Sequence, residues 1–175
     1  MDEDEKSYDW RAHDDPFYWN FNMYKVYNVP IKWRIICIQG YFEVKMQQLI
    51  DNQQIKFGIL SRRQYKRGGT RLNARGIDDE GYVGNYVETE SFFIHNEILY
   101  TFVQIRGSIP LFWQQKGLKG EVVFKRDPST SVKAVKHHFH DINEEFGRFL
   151  MVNLLKEKSE REQLLSSNIS QIIEK

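Results

Sequence analysis

The sequence has one cysteine, Cys37, among its 175 residues, so it cannot form an internal disulfide. A chain without disulfides is typical of a reducing compartment. Its apolar runs are all far shorter than the roughly 20 residues that a membrane-spanning helix needs, so the sequence predicts no transmembrane segment. A large net charge is lacking too. The formal value is +1, which argues against a protein that holds nucleic acid by bulk electrostatic attraction.

A basic signal peptide is also absent, because Met1 is followed by four acidic residues. We therefore expect a cytoplasmic protein. Residues 1–16 are largely acidic and polar, and we expect them to form a flexible N-terminus. The remaining residues, 17–175, are expected to belong to a folded domain.

Residues that build a core are plentiful, with 41% hydrophobic and 14% aromatic content, which is enough for one ordinary domain. The aromatic stretch that begins at Phe17 is expected to be buried. Four segments rich in β-branched and aromatic residues predict strands. They are residues 33–44, 55–61, 83–94 and 97–106. The last two are predicted to form a hairpin with His95-Asn96 at its turn.

The C-terminal part of the chain predicts two helices. Apolar residues at steps of three and four follow Asp127 and predict an amphipathic helix over 131–147 that ends at Gly147. The apolar run 149–155 predicts a buried strand, and a second helix is predicted over 159–175. Because the chain stops inside this second helical pattern, we interpret its ending as a cut. Together these elements predict an α/β fold, in which a mixed sheet with a central hairpin is flanked by helices.

A switch of charge lies in the middle of the chain. Residues 62–75 contain six basic residues and no acid, whereas residues 78–90 contain five acids and no base. Arginine binds phosphate well because its planar guanidinium donates two hydrogen bonds at once. Glycines such as Gly68 and Gly76 would let the backbone approach a ligand. A glycine-rich turn on a charged surface explains the same composition, and both interpretations stay open.

Arg106 is a second candidate, because it stands at the end of an apolar predicted strand and precedes a bulky turn. A charged residue in such a place usually has a carboxylate or phosphate partner. On physical grounds alone we favour an internal ion pair of Arg106, with Asp78 or Asp79 as its partner.

Three histidines and the single cysteine could in principle bind a metal or act as a nucleophile. The sequence favours a role without metal binding or catalysis for both. His137, His138 and His140 do not share one helix face and have no further ligand at a recognised spacing, so surface histidines are favoured over a metal site. Cys37 stands between two isoleucines in a strand-like pattern, without the cationic setting that a reactive thiolate needs. A core thiol is favoured there.

Three motifs in sequence order resemble the signature of the Sac-domain phosphoinositide phosphatases. They are Arg67-Gly68-Gly69-Thr70-Arg71, Arg75-Gly76-Ile77-Asp78-Asp79-Glu80-Gly81 and Asn85-Tyr86-Val87-Glu88-Thr89-Glu90. The similarity continues through Gln104 to Trp113, where the Leu-Phe-Trp ending favours the synaptojanin-like branch, and through Val152-Asn153-Leu154-Leu155. Departures are small: Gly68 stands where the family usually has alanine, and Ser91 where it commonly has glutamine.

The resemblance implies a phosphatase that removes phosphate from the inositol ring of membrane lipids, through a later Cys-x5-Arg loop that forms a phosphocysteine. The sixth residue after Cys37 is Glu43, so this chain lacks that loop. We therefore interpret residues 17–175 as the N-terminal part of a Sac catalytic domain that is inactive alone. The resemblance implies no catalytic residue, metal or cofactor in this part. It implies phosphoinositide lipids at cytosolic membrane faces as the substrate, with Arg71, Arg75 and Arg106 as candidate substrate-binding residues.

A non-catalytic role is the alternative hypothesis. The basic cluster could bind anionic lipid, because each basic residue near such a surface contributes on the order of 1 kcal/mol. The cluster consists of Arg62, Arg63, Lys66, Arg67, Arg71 and Arg75. Internal pairing of the arginines with Asp78, Asp79, Glu88 and Glu90 would explain the same charges, and we favour it for Arg71, Arg75 and Arg106.

Overall fold

The computed structural model describes residues 15–48, 54–69, 74–115, 120–156 and 159–174. The chain divides into two compact units. The first unit comprises Met1–Tyr65 and Glu88–Gln104, and the second comprises Lys66–Val87 and Ile105–Lys175. The interpretation of residues 1–16 as a flexible N-terminus falls almost wholly outside the described residues.

The first unit contains a four-stranded sheet in the order β1-β2-β3-β4. Its strands are β1 Gly40–Gln48, β2 Gln54–Arg63, β3 Val87–His95 and β4 Ile98–Arg106. By residue number, the first residue of β3 and the last two residues of β4 are counted with the second unit. β1 and β2 pair antiparallel, from Gly40 opposite Arg62 to Gln48 opposite Gln54. The second and fourth predicted strands are confirmed, as is the α/β class of the fold. The third is confirmed only from Val87 onward, since residues 83–86 lie outside β3.

The hairpin between β3 and β4 turns at Asn96 and Glu97, one residue later than predicted. Both residues have positive φ, 49° and 64°, as in a two-residue type I′ turn. This turn matches the twist of the flanking strands, and asparagine tolerates the required backbone conformation better than most residues.

The predicted strand over 33–44 is wrong in its first part, since β1 begins only at Gly40. Residues Ile31–Trp33 form a 3₁₀ turn instead. The backbone that follows is bound by side chains from the start of the unit: Ile35 N donates to the Tyr24 hydroxyl (2.8 Å) and Cys37 N donates to Asn20 Oδ1 (3.0 Å). These side chains bind the backbone groups that a neighbouring strand would otherwise bind. They leave Cys37 exposed, so the prediction of a core thiol is also wrong.

A short helix, α1 Phe21–Val26, precedes that turn and buries part of the aromatic stretch. Phe17, Phe21 and Tyr24 are buried, and the Phe21 ring lies 6.5 Å from that of Tyr65. Burial of the aromatic stretch is therefore only partial, because Tyr27 lies on the surface.

The second unit is built around a two-stranded antiparallel sheet and two helices. The strands are β5 Trp113–Gln115 and β6 Val122–Phe124, and the helices are α2 Val132–Phe146 and α3 Glu160–Ile173. Side chains from both helices, from the start of β5 and from the segment just before β5 form the core. They are Leu111, Trp113, Val135, Leu165 and Ile169.

Both predicted helices are confirmed. A 3₁₀ turn, Pro128–Ser131, leads into α2, and the Asp127 side chain accepts a hydrogen bond from Ser129 N (2.9 Å) at its start. Gly147 ends α2 with φ of 73°. The part of the chain that the structure describes contains no helix long and apolar enough to span a membrane.

The predicted buried strand over 149–155 is wrong. No strand is assigned there, and most of its apolar side chains are exposed, including Leu150 at 88% and Leu154 at 86%. Phe149 stacks on Phe139 of α2 with ring centroids 5.8 Å apart. The prediction failed here because an apolar run indicates that the side chains favour burial, but it does not show which other element packs against them.

Candidate functional site

Residues 74–86 contain the first three acids of the charge switch, Asp78, Asp79 and Glu80, and fold into a tight loop in the second unit, which we call the motif loop. Gly84 N donates to Gly76 O (2.8 Å), and Ile77 and Val83 form an antiparallel bridge between the two arms. Ile77 and Val83 are buried, so the loop carries a small apolar centre of its own.

The motif loop is fixed to the backbone that follows β4. Gly76 N donates to Ser108 Oγ (2.9 Å), and Ile77 N donates to Leu111 O (3.0 Å). In return, Ser108 N donates to Gly84 O (2.9 Å). These three bonds join two segments that the resemblance treats as separate motifs.

Two glycines permit this contact because a side chain would not fit. Gly76 has φ of 68°, and a Cβ there would lie 2.3 Å from Leu111 O. A Cβ on Gly84 would lie 2.6 Å from Ala74 O. Gly76, which suggested approach to a ligand, therefore allows close approach between backbone segments of the protein itself, and Gly84 does the same.

Asp78 closes the tip of the motif loop. Its Oδ1 accepts a hydrogen bond from Tyr82 N (2.7 Å), and its backbone N donates to Tyr82 O (3.0 Å). Its Oδ2 lies 3.9 Å from Nη1 of Arg67. Burial nevertheless raises the pKa of the Asp78 carboxyl above its ordinary value, because desolvation outweighs the bond from Tyr82 and the attraction of Arg67.

Asp79, by contrast, lies at the surface in an ion pair with Arg126. The guanidinium donates to both carboxylate oxygens, at 2.5 and 2.8 Å, and these bonds lower the pKa of Asp79. The same guanidinium lies 4.3 Å from the centre of the Phe112 ring. Nothing in the sequence near Arg126 signalled this role.

His138 lies on the inner side of α2, against the motif loop. Its ring meets the Tyr86 ring edge to face at 6.0 Å, and it forms a hydrogen bond with the backbone of Gly81. Burial, acting against that bond, lowers the pKa of His138 to about 4. The prediction of a surface histidine is wrong for His138, whereas His137 is exposed. Among the described residues, no cluster of histidine, cysteine and carboxylate side chains could hold a metal ion.

The predicted substrate-binding arginines lie in different settings. Arg75 Nη2 donates to Gln115 Oε1 (3.1 Å), and its guanidinium lies 5.6 Å from the centre of the Trp113 ring. Arg106 is exposed at the end of β4 and has no ion pair among the described residues. The favoured pairing of Arg106 with Asp78 or Asp79 is therefore wrong. Arg71 lies outside the described residues.

Three other basic residues of the cluster have internal contacts. In the first unit, Arg62 binds the buried carboxylate of Glu88 at 2.5 Å. In the second unit, Lys66 Nζ donates to the Tyr82 hydroxyl (2.7 Å), and Arg67 Nη2 donates to Arg75 O (2.6 Å). These contacts favour an internal role for the cluster, and its binding of anionic lipid stays a prediction.

The motifs in the motif loop resemble those of Sac-type chains, and comparison with known proteins confirms this class. The model of the SacI homology domain matches residues 1–175. The chain belongs to this family.

The similar proteins include members of the synaptojanin-like branch. The chain is 36% identical to human synaptojanin-1 over 160 residues, which is 87% of this chain and 10% of that protein. It is 35% identical to phosphoinositide phosphatase SAC6 of Arabidopsis thaliana over 153 residues, 83% of this chain and 25% of SAC6. It is 37% identical to the polyphosphatidylinositol phosphatase INP53 of Saccharomyces cerevisiae over 124 residues, 70% of this chain and 11% of INP53. The chain thus spans a tenth to a quarter of the length of these relatives.

Proposed function

We propose that this chain is part of a phosphoinositide phosphatase, which hydrolyses phosphate monoesters on the inositol ring of phosphatidylinositol phosphates at cytosolic membrane faces. The observation that carries the proposal is the family match over residues 1–175, together with relatives that are named as phosphatases of these lipids. Within that enzyme, residues 17–175 supply supporting structure for the site.

The contacts of the motif residues support this structural role. Asp78 closes the loop through Tyr82 N, and Asn85 Nδ2 donates to Ala74 O (2.7 Å). Glu88 holds Arg62 in the first unit. The polar atoms of these side chains bind other groups of the protein. Their part in catalysis is therefore to hold the backbone in place.

The chemical step needs residues that this chain does not contain. A phosphatase of the implied type attacks phosphorus with a cysteine thiolate and binds the phosphate oxygens with the arginine of Cys-x5-Arg. The sole cysteine, Cys37, is followed six residues later by Glu43. We therefore expect the 175-residue chain to release no phosphate from phosphatidylinositol phosphates.

Two assays test the proposal. In the first, the purified chain is incubated with vesicles that contain phosphatidylinositol 4-phosphate, and free phosphate is measured. Release that persists in Cys37→Ala would show that this chain has a catalytic site of its own, and the proposal would then be wrong.

The second assay tests the supporting role. The chain replaces the aligned segment of A. thaliana SAC6, and the chimera is compared with SAC6 for phosphate release. We expect the chimera to be active, because this segment supplies the same motif loop and the rest of SAC6 supplies the chemistry. A chimera that folds, as judged by circular dichroism and gel filtration, but stays inactive would contradict the proposal.

A further inference from the structure

A segment of the first unit is closed into a loop by its own hydrogen bonds, and we call residues 25–35 the aromatic-basic loop. The buried Tyr24 hydroxyl accepts from Ile35 N (2.8 Å) at its base, where Asn20 Nδ2 also donates to Ile35 O (2.8 Å). Across the middle, Arg34 Nε donates to Val29 O (3.0 Å). The loop is therefore a folded feature, compact through its own contacts.

This loop exposes several large apolar side chains. Val26, Tyr27, Trp33 and Ile35 have 76%, 74%, 70% and 75% of their surface exposed. Ile31 is exposed to a smaller extent. Single exposed apolar residues are normal, but several in one loop of eleven residues indicate a surface that meets something other than water.

The charged residues within the loop itself have one sign. The loop contains Lys25, Lys32 and Arg34, and the sequence has no acidic residue from Pro16 to Phe42. The Lys32 ammonium lies 5.8 Å from the centre of the Trp33 ring, so cation and aromatic ring occupy the same patch. A partner for this surface must accept apolar side chains and carry negative charge.

An anionic lipid surface offers both properties. Tryptophan and tyrosine favour the level of the lipid headgroups, aliphatic side chains enter the acyl region, and lysines bind acidic headgroups. We propose that the aromatic-basic loop docks this protein on an anionic membrane surface. A second copy of the chain is a poorer partner, because a self-complementary contact would bring the three cations of one loop against those of another.

The apolar residues at 149–154 show why the charge of a surface is needed to identify its partner. Leu150 and Leu154 are as exposed as the loop residues, but the sequence from 149 to 154 carries no charge. Their exposure alone does not identify a partner. The docking proposal does not depend on phosphatase activity, because an anionic surface attracts the loop whatever chemistry follows.

Vesicle flotation tests the proposal with the full chain. Vesicles of phosphatidylcholine alone are compared with vesicles that contain 20% phosphatidylserine and no phosphoinositide. We expect binding only to the anionic vesicles. The double variant Lys25→Gln, Lys32→Gln should lower the partition coefficient about 30-fold, since each lysine contributes on the order of 1 kcal/mol. Tyr27→Ala with Trp33→Ala should lower it at least about tenfold.

Matched controls distinguish binding through the loop from nonspecific binding by any exposed charge or apolar side chain. Lys133→Gln with Lys136→Gln removes two charges from α2, and Leu150→Ala with Leu154→Ala removes two exposed apolar side chains elsewhere. Both control variants are expected to bind like the parent chain. Circular dichroism of every variant checks folding, and the lysine variants keep the test informative if the aromatic pair is needed for stability.

A fluorescence measurement locates the contact. Brominated acyl chains should quench the emission of bound protein, and Trp33→Phe should lose most of this quenching while it keeps most of the binding. The proposal is overturned if the parent chain ignores anionic vesicles or if the loop variants bind as well as the parent. It is equally overturned if the loop variants change only self-association in analytical ultracentrifugation. Because these vesicles contain no phosphoinositide, failure of docking and failure of the proposed phosphatase function are distinguishable.

Discussion

Replacement of His138 by glutamine should make the protein less sensitive to acid. In the native state, the ring lies between α2 and the motif loop, in contact with Tyr86 and hydrogen-bonded to the backbone of Gly81. Burial holds its pKa at about 4, although the nearby carboxylate of Asp141 acts in the opposite direction and His137 in the same direction. The unfolded chain has no such burial and binds the proton near pH 6.5.

The magnitude follows from these two pKa values. Because the unfolded state takes up the proton first, the stability that neutral His138 provides is complete above pH 6.5 and is lost as the pH falls toward 4. The full loss is roughly 3 kcal/mol, since each pKa unit corresponds to about 1.4 kcal/mol. Between pH 7 and pH 4.5 we expect about 2 kcal/mol of that loss.

Urea unfolding at pH 7.0 and pH 4.5 measures this loss as a difference between variants. Other titrating groups, such as Asp79 with its lowered pKa, act equally in parent and variant and cancel. We expect His138→Gln to lose about 2 kcal/mol less than the parent over this interval, whatever its stability at pH 7. His140→Gln, an exposed position on the same helix, is the control and should keep the acid sensitivity of the parent. Equal pH dependence of the parent and His138→Gln would refute the reasoning.

Three further predictions concern packing and substrate contact. Gly76→Ala should lose at least about 3 kcal/mol of unfolding free energy, against about 1–2 kcal/mol for Gly147→Ala, which has positive φ but open space around it. Equal urea midpoints for the Gly76→Ala and Gly147→Ala variants would show that the lack of room at Gly76 does not determine the loss of stability. Glu88→Ala should lose about 3 kcal/mol, because it leaves Arg62 without its buried partner, and Glu88→Gln should lose less. In the SAC6 chimera, Arg106→Ala should raise KM about tenfold while Arg106→Lys raises it less, and an unchanged KM would remove Arg106 from the substrate site.

The hairpin and the helices could be predicted because local signals and tertiary packing agree there. Val87–His95 and Ile98–Arg106 are rich in β-formers around a turn with asparagine, and α2 carries both an apolar period and a glycine at its end. The segment that contains Cys37 could not be predicted from local pattern, because Tyr24 hydrogen-bonds its backbone from outside.

The site shows a similar division. The family motifs marked Asp78 and Gly76 from sequence. The bond from Tyr82 N to Asp78 and the lack of room for a side chain at Gly76 depend on the folded backbone. His138 could have been found, because it stands three residues after Val135 and so shares the buried side of α2. Arg126 gave no signal, since its partner is distant in sequence.

The motif loop changes what its sequence signature can tell about related chains. The small residues at 76 and 84 and the carboxylate at 78 are required by the local architecture, whether or not a reaction takes place. A duplicated gene that loses its catalytic cysteine would still be under pressure to keep them, because a polypeptide that misfolds is degraded. The signature is therefore a marker of descent and of foldability. A survey of genomes that counted active phosphatases by this block alone would count inactive descendants as well.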